Sequence, residues 1–242
     1  MPTYAIGIEY HGTIFHGWQR QADQNTVQGD LEKALSQVAD SEVLLSAAGR
    51  TDAGVHSMGQ VASFHSDSDR GLDQWLRGAN SLTPQSINIT WIVEVEDTFH
   101  ARFSATARRY LYLFMDRKKD AHASDLAWMV ESLDADLMHW HAQNLLGEHD
   151  FTSFRSIECQ AKSPIKTINS IKIIRKSSEI EIWIKAKSFL HNQVRIIAGT
   201  LMMVGKAKWK KKDIERALKA KKRDAAGQTA PAWGLFLYSV KY

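Results

Sequence analysis

Polar and apolar residues alternate along Tyr4-Ala5-Ile6-Gly7-Ile8-Glu9-Tyr10, which predicts a strand with Tyr4, Ile6, Ile8 and Tyr10 on one face. A loop carrying Gly12 and Gly17 follows. Thr26 is placed to cap a helix with Val27, Leu31, Ala34, Leu35 and Val38 at helical spacing. Residues 43–48 read as a short buried strand that runs into a loop over 49–56. Residues 61–64 read as the strand leaving it. A helix is predicted over 71–79 and a strand over 87–96. Residues 98–107 are polar and irregular, and the domain junction is placed there, dividing the chain into 1–105 and 106–242. Beyond it, Arg109-Tyr110-Leu111-Tyr112-Leu113-Phe114 predicts a strand with Tyr110, Tyr112 and Phe114 on one face. A helix over 134–146 comes next. Residues 168–174 and 180–186 form an antiparallel pair across the polar turn Lys176-Ser177-Ser178. Helices over 192–204 and 214–221 and a closing strand over 235–240 complete the pattern. Strands interspersed with helices in both halves give an α+β class.

The composition fits a globular chain. Of 242 residues, 44% are apolar and 24% charged, enough for a sizeable core. Apolar stretches are short, so no membrane span or membrane partner is expected. The start, Met1-Pro2-Thr3-Tyr4-Ala5-Ile6, lacks the pattern of a secretory signal. A single cysteine, Cys159, excludes an internal disulfide framework and a multi-cysteine zinc site. These features favour the cytoplasm. Between Lys206 and Arg223, eight Lys and two Arg stand against Asp213 and Glu215, so the block carries +8 and the remaining chain −4. Such a block suits contact with a polyanion. It equally suits a solvated helix face.

The candidate chemistry lies in Arg50-Thr51-Asp52-Ala53-Gly54-Val55-His56. Gly49 and Gly54 allow a tight turn, which would present Asp52 between them. A nearby Arg50 favours the ionised carboxylate and can also pair with phosphate or stack on a base. An ionised carboxylate acts as nucleophile or general base. A lone Asp beside glycine is otherwise ordinary in surface turns. Histidine ordinarily changes charge near neutrality, which makes His56 tempting as a general base, but a hydrogen-bonding role in the loop is the expectation. His139, His141, His149 and Asp150 invite a metal reading. Positions 139 and 141 do not share a helix face, and no metal is expected.

The seven-residue segment closely resembles the signature R-T-D-x-G-V-H of the TruA family of tRNA pseudouridine synthases. Further segments resemble the family in order: Phe15-His16-Gly17-Trp18-Gln19, Thr26-Val27-Gln28, Ala101-Arg102-Phe103-Ser104-Ala105 with Arg109-Tyr110-Leu111-Tyr112, Gly147 to Phe154, Phe189 to Arg195, and Ala230 to Leu237. Lys166, Gln193 and Trp233 depart from the usual residues.

The resemblance implies two similar α+β halves whose mostly antiparallel sheets join into one central sheet. It implies isomerisation of uridine to pseudouridine at positions 38, 39 and 40 of the tRNA anticodon arm, without cofactor or essential metal, by a homodimer. In it, Asp52 is the catalytic carboxylate. It adds to uracil C6, attacks ribose C1′, or abstracts a ribose proton. Tyr110 stacks on the flipped uracil and relays a proton. Arg195 pairs with Asp52, Leu235 walls the base, and Arg50 holds the vacated place or its phosphate. A silent tRNA-binding protein on the same fold and a metal-dependent hydrolase are the rival readings.

Overall fold

A computed structural model describes all residues, Met1–Tyr242, and divides them into two compact units. Together they hold ten strands and five α-helices, a mixed fold with a large, mostly antiparallel sheet. The α+β expectation therefore holds.

The first unit is Met1–Thr106 with Leu237–Tyr242. It contains β1 (Thr3–Tyr10), α1 (Val27–Ala39), β2 (Ser46–Ala47), β3 (His56–His65), α2 (Leu72–Leu82) and β4 (Ile87–Val95). β1 lies between β3 and β4 and is antiparallel to both. Its face of Tyr4, Ile6, Ile8 and Tyr10 shares one core with Leu31 and Leu35 of α1 and Trp75 of α2. Burying those side chains supplies most of the unit's apolar stabilisation. Thr26 caps α1, its hydroxyl accepting from Gly29 N–H at 3.3 Å.

Residues 43–48 yield only the two-residue β2. The reason lies in α1. Val43 N–H donates to the Ser36 hydroxyl at 2.9 Å, and Leu45 N–H to the Glu32 carboxylate at 2.8 Å. Both groups are thereby taken from any strand neighbour. Glu32 is buried, also accepts from the Gln28 amide at 2.8 Å, and pairs with Arg20 at 2.9 Å. β3, by contrast, starts five residues before the predicted one. The Ser57 hydroxyl accepts from Gly59 N–H and Gln60 N–H, and the register against β1 shifts between Ile8 and Tyr10. That bulge hides the alternation.

The second unit is Ala107–Phe236. It contains β5 (Ala107–Met115), β6 (Trp128–Met129), α3 (Ala135–Ala142), β7 (Gly147–Asp150), β8 (Ile165–Lys176), β9 (Glu179–Ala186), α4 (Gln193–Gly205) and α5 (Lys211–Ala220). The strands run β5-β9-β8-β7, and β6 pairs parallel with β5. The β8–β9 hairpin turns at Ser177, whose φ is 55°. The helix expected over 134–146 ends at Ala142 and tightens into a 3₁₀ turn, Gln143–Leu145. The basic helix α5 buries Ile214 and Ala217. Its far end is tied down by Lys221 to Asp150 at 3.1 Å and by Lys222 N–H to the Ser153 hydroxyl at 2.9 Å. The Thr152 hydroxyl bonded to Asp150 holds that carboxyl below its usual range, with Lys221 assisting.

The closing strand β10 (Leu235–Lys241) starts in the second unit and finishes in the first. The first unit's main segment ends at Thr106 and the second unit starts at Ala107. Leu237–Tyr242 count with the first unit because Lys241 C=O accepts from Thr106 N–H at 2.7 Å and Leu237 C=O from the Ser57 hydroxyl at 3.1 Å.

Replacing Glu32 by Ala should leave Leu45 N–H buried without its acceptor and the Gln28 amide with Leu45 C=O alone. A loss of about 1–3 kcal/mol is expected in denaturant unfolding. Glu32→Gln, which keeps an acceptor oxygen, should lose less.

Candidate active site

Residues 49–56 connect β2 to β3, and their shape is set by hydrogen bonds at both ends. At the start, the buried Gln60 amide donates to Gly49 C=O at 2.6 Å. At the far end, Gly12 N–H donates to His56 Nδ1 at 3.0 Å. His56 is almost fully buried, and that bond requires an unprotonated Nδ1. The ring meets His11 edge-on at 4.6 Å. His56 therefore shapes the loop as the sequence suggested.

Thr51 is the buried anchor between these ends. Its hydroxyl bonds the Tyr10 hydroxyl at 2.8 Å, and its C=O accepts from Trp18 N–H at 3.0 Å. Asp52 follows, half-buried, at the first position of a turn closed by Val55 N–H to Asp52 C=O at 3.1 Å. Arg50 and Ala53 on either side are exposed. Gly54 takes the left-handed conformation that turn requires, with φ at 78°. Gly49 does not, so only one of the two flanking glycines serves for its backbone freedom.

Two other glycines matter more than either. A Cβ on Gly12 would lie 2.0 Å from Val55 O, and one on Gly17 would lie 2.8 Å from Thr51 O. Gly17 also has φ at 92°. The 12–17 segment thus forms a backbone seat for the Asp52 turn. The sequence marked Gly12 as a loop residue and Gly17 as part of a family segment, but neither as a seat, because a close approach between segments far apart in the chain leaves no local pattern. Tyr10 was likewise read only as core.

In the second unit, Tyr110 lies on β5 opposite Ile184 and meets Phe189 edge-on at 5.2 Å. Arg195 sits in the first turn of α4. Its Nε donates to Ala230 C=O and its Nη1 to Asn192 Oδ1, both at 2.8 Å. Asn192, at φ 61°, caps the helix start in a left-handed conformation, a role its place in the Phe189–Arg195 family segment did not reveal. Burial pushes the Tyr112 hydroxyl far up, and the Arg195 charge nearby opposes this. Tyr112 donates to Pro231 C=O at 3.0 Å. Its ring also fills the space where a Gly234 side chain would stand. Leu235 follows, buried, as the first residue of β10. Tyr110, Arg195 and Leu235 are thus each fixed on a regular element, whereas Arg50 and Asp52 ride on the first unit's loop.

Two of the three histidines weighed as metal ligands are engaged by backbone groups. His139 Nδ1 accepts from Ile173 N–H at 3.2 Å, and His149 Nε2 bonds Leu146 C=O at 2.8 Å. No helix is long and apolar enough to cross a membrane.

A family model described as tRNA pseudouridine synthase matches residues 6–104 and 141–242, and so includes the whole Asp52 loop. This chain belongs to that family. Its members are isomerases. Synthases named tRNA pseudouridine synthase A from Brucella ovis and Brucella abortus are each 46% identical to it, over 100% of this chain and 98% of theirs. Among solved structures, an archaeal box H/ACA Nop10–Cbf5 complex matches with 9% identity and a TM-score of 0.36, over 82% of this chain and 43% of that one. Within the synthase family match, residues 105–140 are not covered, so the model does not reach Tyr110.

Gly12→Ala and Gly17→Ala should each displace the turn that carries Asp52. Both should lower thermal stability by more than about 1 kcal/mol, since neither clash meets a flexible side-chain end. Catalytic turnover should fall further than RNA binding. Unchanged turnover in both variants would remove the seat from any account of the site.

Proposed function

We propose that the protein converts uridine to pseudouridine at positions 38, 39 and 40 in the anticodon arm of tRNA, with Asp52 as nucleophile. The observation that carries this reading is the Arg50–His56 segment: a family signature whose single carboxylate sits half-exposed on a turn fixed from both ends. The full-length likeness to proteins named tRNA pseudouridine synthase A supports the substrate.

The reaction breaks the bond between uracil N1 and ribose C1′, turns the base, and joins C1′ to C5. N1 gains a proton and C5 loses its own, so no redox partner is needed. Asp52 supplies the carboxylate that bonds to carbon while the base turns; that bond breaks again as C1′ joins C5, which returns the free carboxylate. The uridine leaves its stack for this to happen, as enzymes that act on a base require. Tyr110 offers a ring to stack on that uracil and a hydroxyl to pass on the C5 proton. Arg195 provides the positive charge that favours an ionised carboxylate. Its two hydrogen bonds to Ala230 and Asn192 support such a positioning role. Leu235 gives the base an apolar wall, and the exposed Arg50 meets RNA at the place the uridine vacates. A homodimer and a cytoplasmic location complete the proposal.

Incubation with tRNA carrying tritium at uracil C5 should release the label as C5 gains its new bond. No release from any unmodified tRNA would refute the reading. Asp52→Asn should bind tRNA almost normally yet release no label; appreciable turnover would remove Asp52 from the chemistry.

The α5 block is proposed as an RNA contact. Lys211 pairs with Glu215 at 3.7 Å and Arg216 with Asp213 at 2.9 Å, which reduces the local field but leaves an excess of lysines. Neutralising Lys210, Lys211 and Lys212 should weaken tRNA binding and flatten its dependence on salt. An unchanged slope would return the block to a solvated surface.

A further inference from the structure

One exposed apolar residue outside the proposed catalytic set is Phe103, whose ring has charged and aromatic neighbours. Its side chain is 74% exposed, while Ala101, two residues earlier, is fully buried. The turn between β4 and β5 that carries it is not loose. His100 N–H donates to the Ser104 hydroxyl at 3.1 Å, and Ser104 N–H to His100 C=O at 2.9 Å. Arg102 N–H donates to His100 Nδ1 at 3.1 Å. Ala101 is held on both sides, its N–H by the Ser63 hydroxyl at 3.2 Å and its C=O by the Tyr242 hydroxyl at 2.8 Å. A well-tied turn that displays a large apolar ring to water loses the burial the ring would gain elsewhere.

What surrounds the ring indicates its occupant. The Arg102 guanidinium lies 5.5 Å from the centre of the Phe103 ring, and the His100 ring 4.4 Å away. An aromatic face with a guanidinium beside it matches a nucleotide, whose base stacks while its phosphate pairs. The position agrees. Ala101 packs with Ala48 and Val61 in one small apolar cluster of the first unit. Ala48 is followed directly by Gly49 and the Arg50–Asp52 turn. The Phe103 turn therefore stands on the same footing as the loop that presents Asp52. A cleft bordering Phe99 and Ser104 is lined by Glu94 and Glu96, which disfavours phosphate there and leaves that task to Arg102.

We infer that His100, Arg102 and Phe103 form a second RNA-binding platform, which stacks an unpaired base next to the reacting uridine on Phe103 and holds its phosphate with Arg102. This rests on the proposed action on tRNA, and it adds a base that is held but not modified.

The test uses the full chain. Binding of unmodified tRNA is measured in Asp52→Asn, alone and with Phe103→Leu, Phe103→Tyr or Arg102→Gln, beside melting curves for each. Phe103→Leu should weaken binding about tenfold without altering the melt, while Phe103→Tyr keeps it. Arg102→Gln should lower the salt slope by about one unit. Unchanged affinity in Phe103→Leu would overturn the inference. So would a shift in sedimentation without loss of affinity, which would make Phe103 a contact between copies of the chain. Tritium release by the otherwise unaltered enzyme separates the two claims. Release with unaltered Phe103→Leu binding sinks the platform alone; no release from any tRNA, and no binding, sinks both.

Discussion

Everything about the site begins with one constraint: two stretches of backbone must touch without side chains between them. Residues 12–17 and 51–55 approach so closely that a single methyl group on Gly12 or Gly17 would collide with a carbonyl. Such proximity is permitted only where the polar groups of both strands of chain are satisfied. Trp18 N–H on Thr51 C=O, Gly12 N–H on His56 and the Tyr10–Thr51 hydroxyl pair meet that condition. The turn that carries Asp52 inherits its fixed position from those bonds. A reacting group gains most from being placed before the substrate arrives, since the ordering cost has then been met in folding.

The elements that carry this seat were legible in the sequence to different degrees. The β1 alternation, the Thr26 cap and the β8–β9 hairpin were plain, because each is a local pattern with a local cause. Residues 43–48 were not, because Glu32 and Ser36 capture the N–H groups that a strand would have used. The start of β3 was hidden by a bulge for the same kind of reason. Asp52 was legible through a seven-residue signature. Gly17 and Asn192 were legible only as members of family segments, and Gly12 only as a loop residue, since their structural work appears when distant segments meet.

The second unit solves its positioning problem by another route. Arg195 stands on a helix whose first residue is preceded by a left-handed Asn192, and both the backbone and the side chain of Arg195 engage Ala230. A guanidinium held by two acceptors keeps its orientation, which a lysine with a single flexible ammonium would not. Its charge is close enough to be felt by the buried Tyr112 hydroxyl. Tyr112 in turn packs against Gly234, one residue before Leu235. Arg195, Tyr112 and the 230–235 segment thus form one connected support in which each member limits the movement of the next.

The path of β10 has a bearing on how the molecule is made. Its last residues belong to a unit whose other members are synthesised first, and the contacts they complete span 135 to 180 positions of chain. A nascent chain therefore cannot finish its first unit while the second is still being translated. Ser57, Ala101 and Thr106 wait for partners that are synthesised only after the second unit. Closure of such long loops is slow by comparison with local pairing. The bulged start of β3, which Ser57 helps to shape, can therefore gain its bond to Leu237 C=O only after the second unit has been made.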